Sequence, residues 1–294
     1  MVLLTSITNG LSLGSVYAII ALGYTMVYGI SKMLNFAHGD VIMVGAYMSF
    51  VGVRNMGLPP ALSVVFAMAV CTVLGIFIER LAYKPLRGTG SLAVLITAIG
   101  VSYFLQNAAL LTWGSAPKSF TSVFSTMKSV KLLGGELVIT PETMFTITAC
   151  VVIMVGMSLF TGKTKMGKAM RAVSEDNGAA QLMGINVNST ISMTFAIGSA
   201  LAAVAGVLLC SAYPTLMPTT GSMPGIKAFT AAVFGGIGSI PGAMLGGLLL
   251  GVIEIFVKTY ISTEISDAIV FGVLIVVLLV KPTGLLGKKV SEKV

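Results

Sequence analysis

Charge is scarce in this chain: Asp, Glu, Lys and Arg make up 10% of its 294 residues, against 56% hydrophobic ones. No water-soluble domain hides that much apolar surface, which excludes a soluble enzyme or binding module. Histidine is reduced to His38, and Cys71, Cys150 and Cys210 stand alone in apolar segments without a CxxC pair. A metal cluster and a catalytic set of paired acids therefore lack their raw material, and the cysteines read as small buried hydrophobes. Met1 to Asn9 contains no Lys or Arg, and the apolar run continues past signal length, so this segment is expected to be a membrane span rather than a cleaved leader. The net charge of +8 is spread over short clusters beside apolar segments, which is a topology signal and not a nucleic-acid patch.

What the chain has is apolar length. Segments near 10–30, 38–53, 60–78, 92–113, 141–160, 190–213, 226–257 and 267–280 are hydrophobic, several of them long enough for the roughly 20 residues a bilayer crossing needs. The expected fold is all-α: a polytopic transmembrane helical bundle of about eight apolar segments forming a single domain over 1–294. Positive charge gathers at Arg80, Lys84 and Arg87, at Lys163, Lys165, Lys168 and Arg171, and at Lys281, Lys288, Lys289 and Lys293, and the positive-inside rule puts all three clusters in the cytoplasm. One crossing per segment would leave the basic C-terminus outside. The parity is restored if 226–257 is broken at Gly235-Gly236-Ile237-Gly238-Ser239-Ile240-Pro241-Gly242, giving two half-helices and a broken or re-entrant segment near 235–242.

Polar residues inside apolar surroundings are candidates for a substrate path. Asn35-Phe36-Ala37-His38-Gly39-Asp40 reads either as a helix break near such a path or as a tight cytoplasmic turn with Asp40 capping the next helix. Thr97, Ser102, Gln106 and Asn107 put polar atoms within 92–113, for interhelical hydrogen bonds or for a lined cavity. Gly235, Gly236 and Gly238 at the break are pathway candidates on the same footing as packing. Gly238, Gly242 and Gly246, with Gly247 and Gly251, fall at four-residue spacing and read first as rows for close helix approach. No Asp, Glu, Lys or Arg is expected deep in a span apart from Glu254, an uncharged route suited to net-neutral ligands.

Between Gly162 and Asn188 the apolar chain gives way to a polar island, GKTKMGKAMRAVSEDNGAAQLMGINVN. Met166, Ala169, Met170 and Val173 follow the i, i+3, i+4, i+7 pattern of one helix face. Ser174 is placed to cap a second short helix with Glu175 and Asp176 in its first turn, and Gly184 suits the left-handed position after its end. Ala179, Ala180, Leu182 and Met183 then form an apolar ridge framed by charge, a docking surface in outline. Two motif matches here are discounted. Gly156 with Gly162-Lys163-Thr164 has five residues between the glycines where a phosphate loop needs four, and the glycosylation pattern Asn188-Ser189-Thr190 lies on the cytoplasmic face.

GLSLGSVYAIIALGYTMVYGI at 10–30, NFAHGD at 35–40, ERLAYKPLRG at 79–88, TAIGVSYFLQN at 97–107, TKMGKAMRAVSEDNGAAQLMGINV at 164–187, GIKAFTAAVFGGIGSIPGAMLGG at 225–247 and KPTGLLG at 281–287 together resemble the branched-chain amino acid permeases of bacterial ABC importers, most closely the H-type subunit of the leucine/isoleucine/valine system. The likeness runs almost end to end, in order and spacing.

The resemblance implies a multi-pass permease subunit in the bacterial inner membrane, without an ATPase motif or bound cofactor of its own. It implies two cytoplasmic ATPases that consume ATP, a second and usually different permease subunit, an extracytoplasmic amino-acid-binding protein and membrane lipid as partners, and no nucleic acid. The 162–188 island corresponds to the family's EAA-type coupling loop, with Arg171, Glu175, Asp176, Gly178, Ala179, Ala180, Leu182 and Gly184 as coupling residues. Gly178 stands where that pattern has an acidic residue, for which Glu175 or Asp176 could substitute. Ala179 and Ala180 are expected to pack flush against the ATPase. Asn35, His38, Gly39, Asp40, Thr97, Gln106, Gly235, Gly236 and Gly238 are the pathway candidates. A permease of the same family for urea, short amides or other amino acids is the alternative, and an ion-coupled carrier lacks the intramembrane ionisable residues that coupling needs.

Overall fold

A computed structural model of the chain describes residues 2–125, 127–132 and 137–287. Helices dominate: α1 (Val2–Ser31), α2 (His38–Arg54), α3 (Pro60–Ile78), α4 (Ser91–Trp113), α5 (Pro141–Lys163), α6 (Lys165–Glu175), α7 (Asn177–Leu182), α8 (Val187–Ala212), α9 (Ser222–Gly235), α10 (Ile240–Tyr260) and α11 (Ser266–Val280). Six of them are long and apolar enough to cross a membrane. A π-helical turn at Glu79–Tyr83 and a 3-10 turn at Lys84–Leu86 extend α3. Four short strands make two antiparallel pairs, β1 (Lys118–Ser119) with β4 (Thr215–Leu216) and β2 (Val130–Leu132) with β3 (Leu137–Ile139).

The core is built around α1, which is buried almost throughout its middle, with α8 and α10 beside it. Apolar contact alone does not select a partner among helices in lipid, so close packing of small residues sets the arrangement. The glycine rows divide this work. Gly247 and Gly251 face Ala18 and Gly14 of α1, while Gly242 and Gly246 face Gly235 and Ala231 of α9. Gly45 against Ala203 and Gly75 against Ser199 bring α2 and α3 onto α8 in the same way. A side chain on Gly251 would drive into the Gly14 backbone, whereas one on Gly100 would meet nothing within 4 Å. Gly251→Val is therefore expected to cost about 1–3 kcal/mol or more of stability. Thermal unfolding of the detergent-purified protein, with Gly100→Ala as the neutral control, measures the difference.

The break in the seventh segment is present but unequal. α9 has 14 residues and α10 has 21, so a short helix precedes a full-length one instead of the two half-helices expected. Pro241 sits in the first turn of α10, where its missing N–H costs nothing, and Ser239 caps that helix by accepting from Gly242 N–H at 3.2 Å. Gly236 and Gly238 take positive φ, +104° and +93°, which turns the chain between the helices. The KPTGLLG segment then closes the end of α9: Leu285 N–H donates to Phe234 O and Leu286 N–H to Gly235 O, both at 2.9 Å.

The ends of the bundle differ in charge. The end of α1, the 79–91 connection, the 162–188 hairpin, the α9–α10 turn and 281–287 gather at one end, joined by Arg87 to Asn188 and by Gly236 packing against Gly284 and Gly287. All three basic clusters map to this end as far as they are described; Lys288, Lys289 and Lys293 lie outside the described residues.

Candidate functional site

NFAHGD is not an exposed turn. Asn35, His38 and Asp40 are all buried, and the chain passes from α1 through 32–37 back into the bundle before α2 begins. Tyr83 OH, carried on the π-turn, donates to Asn35 Oδ1 at 2.9 Å. The His38 ring meets Tyr24 edge-on, with centroids 4.6 Å apart. The residue preceding α2 is Ala37, with no side-chain cap, so the expected Asp40 cap gives way to a longer-range bond. Asp40 Oδ1 accepts from Gln106 Nε2 at 2.9 Å, and the same Nε2 lies 3.3 Å from both Ser102 Oγ and Ser222 Oγ.

This seam lies at membrane depth. Gln106 is about 22 Å along α4 from Ser91 at 1.5 Å per residue, and Ser222 opens α9. Gly39 fits against Gly221 and Gly225, where a side chain would clash, so the first turns of α2 and α9 meet directly. Two helices thus begin inside the bundle side by side, with Gln106 bridging them from α4. Much of α4 is exposed in the single chain, including Tyr103 and Phe104, and Gln106 and Ser102 are only half-buried. The seam therefore opens onto a surface at a depth where bare polar groups are costly in lipid. Thr97 is not part of it: nine residues before Gln106, it falls about 180° around the helix. Gly235, Gly236 and Gly238 are not part of it either, since they close the far end of α9 about 20 Å away; of the three, Gly238 lies next to Gly29 and lines a cavity of about 380 Å³ with the end of α5.

The polar island folds as α6 and α7, two short helices between the spans α5 and α8. Thr164 accepts from Gly167 N–H at 3.0 Å to start α6, whose Met170 and Val173 are buried, as the periodicity requires. The second cap is Asp176 and not Ser174: Asp176 Oδ1 accepts from Gly178 N–H at 2.7 Å and Ala179 N–H at 2.9 Å, while Ser174 donates to Arg171 O within α6. Asp176 places its carboxylate at both free N–H groups of the next turn, which Ser174, inside α6, cannot reach. Gly184 takes φ +80° after α7, as expected, and Ile185 N–H returns to Ala180 O at 3.0 Å.

The ridge is smaller than the sequence suggested. Ala180 is only 3% exposed and packs into this chain's own core, so it offers nothing to a partner; Leu182 and Met183 are 90% and 83% exposed. Arg171, Glu175, Gly178 and Ala179 are exposed around them, with Arg171 donating to Gly162 O at 3.2 Å.

A protein-family model described as "Branched-chain amino acid transport system / permease component" matches residues 6–278. The chain belongs to this family. It is 47% identical to the high-affinity branched-chain amino acid transport system permease protein BraD of Pseudomonas aeruginosa, over 99% of this chain and 98% of that protein. It is 45% identical to the permease protein LivH of the corresponding system in Escherichia coli K12, over 97% and 96%. Among solved structures, a chain of PsaBC from Streptococcus pneumoniae in complex with Fab shares the fold, with a TM-score of 0.50 at 14% identity over 94% of this chain and 91% of that one.

The permease also buries Glu254, the acid expected deep in a span, together with an unexpected lysine. Glu254, 1% exposed, accepts from Tyr17 OH at 2.9 Å, Lys227 Nζ at 2.7 Å and Lys258 Nζ at 2.6 Å; Lys227 also pairs with Asp267 at 2.6 Å. Two cations and two carboxylates thus balance at the end opposite the basic one, beside a cavity of about 260 Å³. The expectation of no buried charge apart from Glu254 is corrected accordingly: Lys227 and Asp40 are buried as well. The sequence signal was present in the i,i+4 pair Glu254 and Lys258, but Lys227 reads as the edge of an apolar block until α9 is known to start at Ser222. At the basic end, buried Glu79 accepts from Arg87 and, at 2.5 Å, from Ser192 Oγ. Burial lowers the Arg87 pKa, and the Glu79 charge and hydrogen bond act against that shift.

Proposed function

We propose that this permease subunit passes leucine, isoleucine and valine across the inner membrane along the Asp40–Gln106–Ser222 seam, driven by two cytoplasmic ATPases that dock on α6 and α7. The basic end is cytoplasmic in this reading, in keeping with the positive-inside rule. A second permease subunit covers the exposed α4 face, and an extracytoplasmic binding protein delivers the ligand at the opposite end. ATP is consumed by the partners.

The observation that carries the route is the meeting of two helix starts at membrane depth under a bridging amide. The positive dipole ends of the two helices suit a carboxylate and the Asp40 carboxylate suits an ammonium, so each end of a zwitterion is matched. In the reconstituted complete system, Gln106→Ala is expected to lower leucine uptake at least tenfold, because Asp40 loses its closest amide partner, while leaving ATPase assembly intact. Wild-type uptake by Gln106→Ala would refute the route.

A further inference from the structure

A cavity of about 780 Å³ belongs neither to the seam nor to the exposed ridge. It lies at the basic end where α1 ends and α4 and α8 begin, and α7 forms one wall through Asn177 and Gln181, continued by Gly184 after its end. Its polar lining is cationic and amide-rich, with Lys32, Arg87, Asn186 and Asn188, and its apolar lining includes Leu86, Val94 and Ile191. No Asp or Glu lines it. The carboxylate nearest in kind, Glu79, is wholly buried and already held by Arg87 and Ser192. Arg80 and Lys84 line an adjoining cavity that shares Asn186 and Asn188.

Two observations single out an anionic ligand. Arg87 Nε is buried without a hydrogen-bond partner. Lys32 has φ +56°, the one positive value outside glycine among the described residues, at a helix end where glycine or asparagine is the ordinary occupant. A lysine held in that conformation marks a position where the side chain has a use that offsets the strain. The transported zwitterion does not fit, because its ammonium would find no carboxylate.

We propose that this cavity binds the phosphate of an anionic phospholipid, with the glycerol and upper acyl chain on Leu86, Val94 and Ile191. The shared chemistry is a phosphate anion; the lipid is its source because the cavity sits at the ends of three helices, in the headgroup layer, with apolar wall on one side. A bound headgroup braces α7 against the 84–91 connection, so the lipid becomes part of the surface that carries the ATPase. The site stands independently of the proposed route through the seam.

Native mass spectrometry of the purified permease complex, loaded with equal phosphatidylglycerol and phosphatidylcholine, tests it. Wild type is expected to retain one phosphatidylglycerol in preference. Lys32→Gly, which suits the backbone and removes the charge, is expected to lose about fivefold of that preference, and Lys32→Arg to keep it. Lys118→Gln, at the opposite end, is the control and is expected to change nothing. Equal retention of the two lipids, or an undiminished preference in Lys32→Gly, overturns the proposal. Displacement of the lipid by excess inorganic phosphate overturns the lipid assignment in favour of a soluble anion.

Discussion

Leu182→Asp is expected to abolish ATP-driven uptake while the permease still folds and inserts. Leu182 projects from α7 with no contact in this chain that would be missed, so the substitution leaves the core alone. Against a partner, an apolar side chain at the centre of a small contact is worth about 2 kcal/mol or more, and a buried carboxylate in its place adds a desolvation cost. Binding of the ATPase therefore falls at least about 30-fold. Ala180→Asp is the informative contrast. Because Ala180 faces the core with Met170 and Val173, the charge strikes the permease itself, and the expected outcome is loss of folded protein rather than uncoupling. Co-purification of the ATPase with each variant, beside the yield of extracted permease, separates the two.

Glu254→Gln carries the second large effect. Glu254 receives two lysines and a tyrosine hydroxyl in a buried setting, and removing one partner of a buried ion pair typically costs about 3–5 kcal/mol. Asp267 continues to hold Lys227, and Lys258 is a third exposed, so the lower half of that range applies. Lys227→Met removes the cation that ties the short helix α9 to α10 and α11. The double variant, Lys227→Met with Glu254→Gln, is expected to cost about 1–3 kcal/mol less than the two singles added, since the groups share one network. Unfolding of the detergent-purified variants measures all three.

Most element boundaries were legible because hydropathy in a membrane protein is a strong contrast. Helix ends at 54, 78, 113 and 280 fall within a few residues of the apolar segments, and the parity of the basic clusters called for a break within 235–242, where α9 ends at Gly235 and α10 starts at Ile240. The hairpin of α6 and α7 was legible from its 3.6-residue period. Its second cap was not, because Ser174 and Asp176 are both good capping residues two apart in sequence and only the end of α6 decides between them.

The seam was legible in its parts and not in its assembly. Asp40 and Gln106 were each conspicuous as polar residues near apolar ones, but they lie 66 residues apart and nothing in composition pairs them. The dive of 32–37 into the bundle was hidden for a similar reason, since a short connection between two spans has the same composition whether it turns in water or in protein. Ala180 shows the limit of residue type alone: a small side chain suits a tight internal contact as well as a tight external one, and the orientation of a six-residue helix is set by its neighbours.

The most direct test of the account is uptake of labelled leucine into proteoliposomes holding the permease with its partner subunits. The account predicts uptake that requires both ATP inside and binding protein outside, and that falls on competition by isoleucine or valine but not by urea. Uptake that continues without ATP, or that urea suppresses, would contradict it.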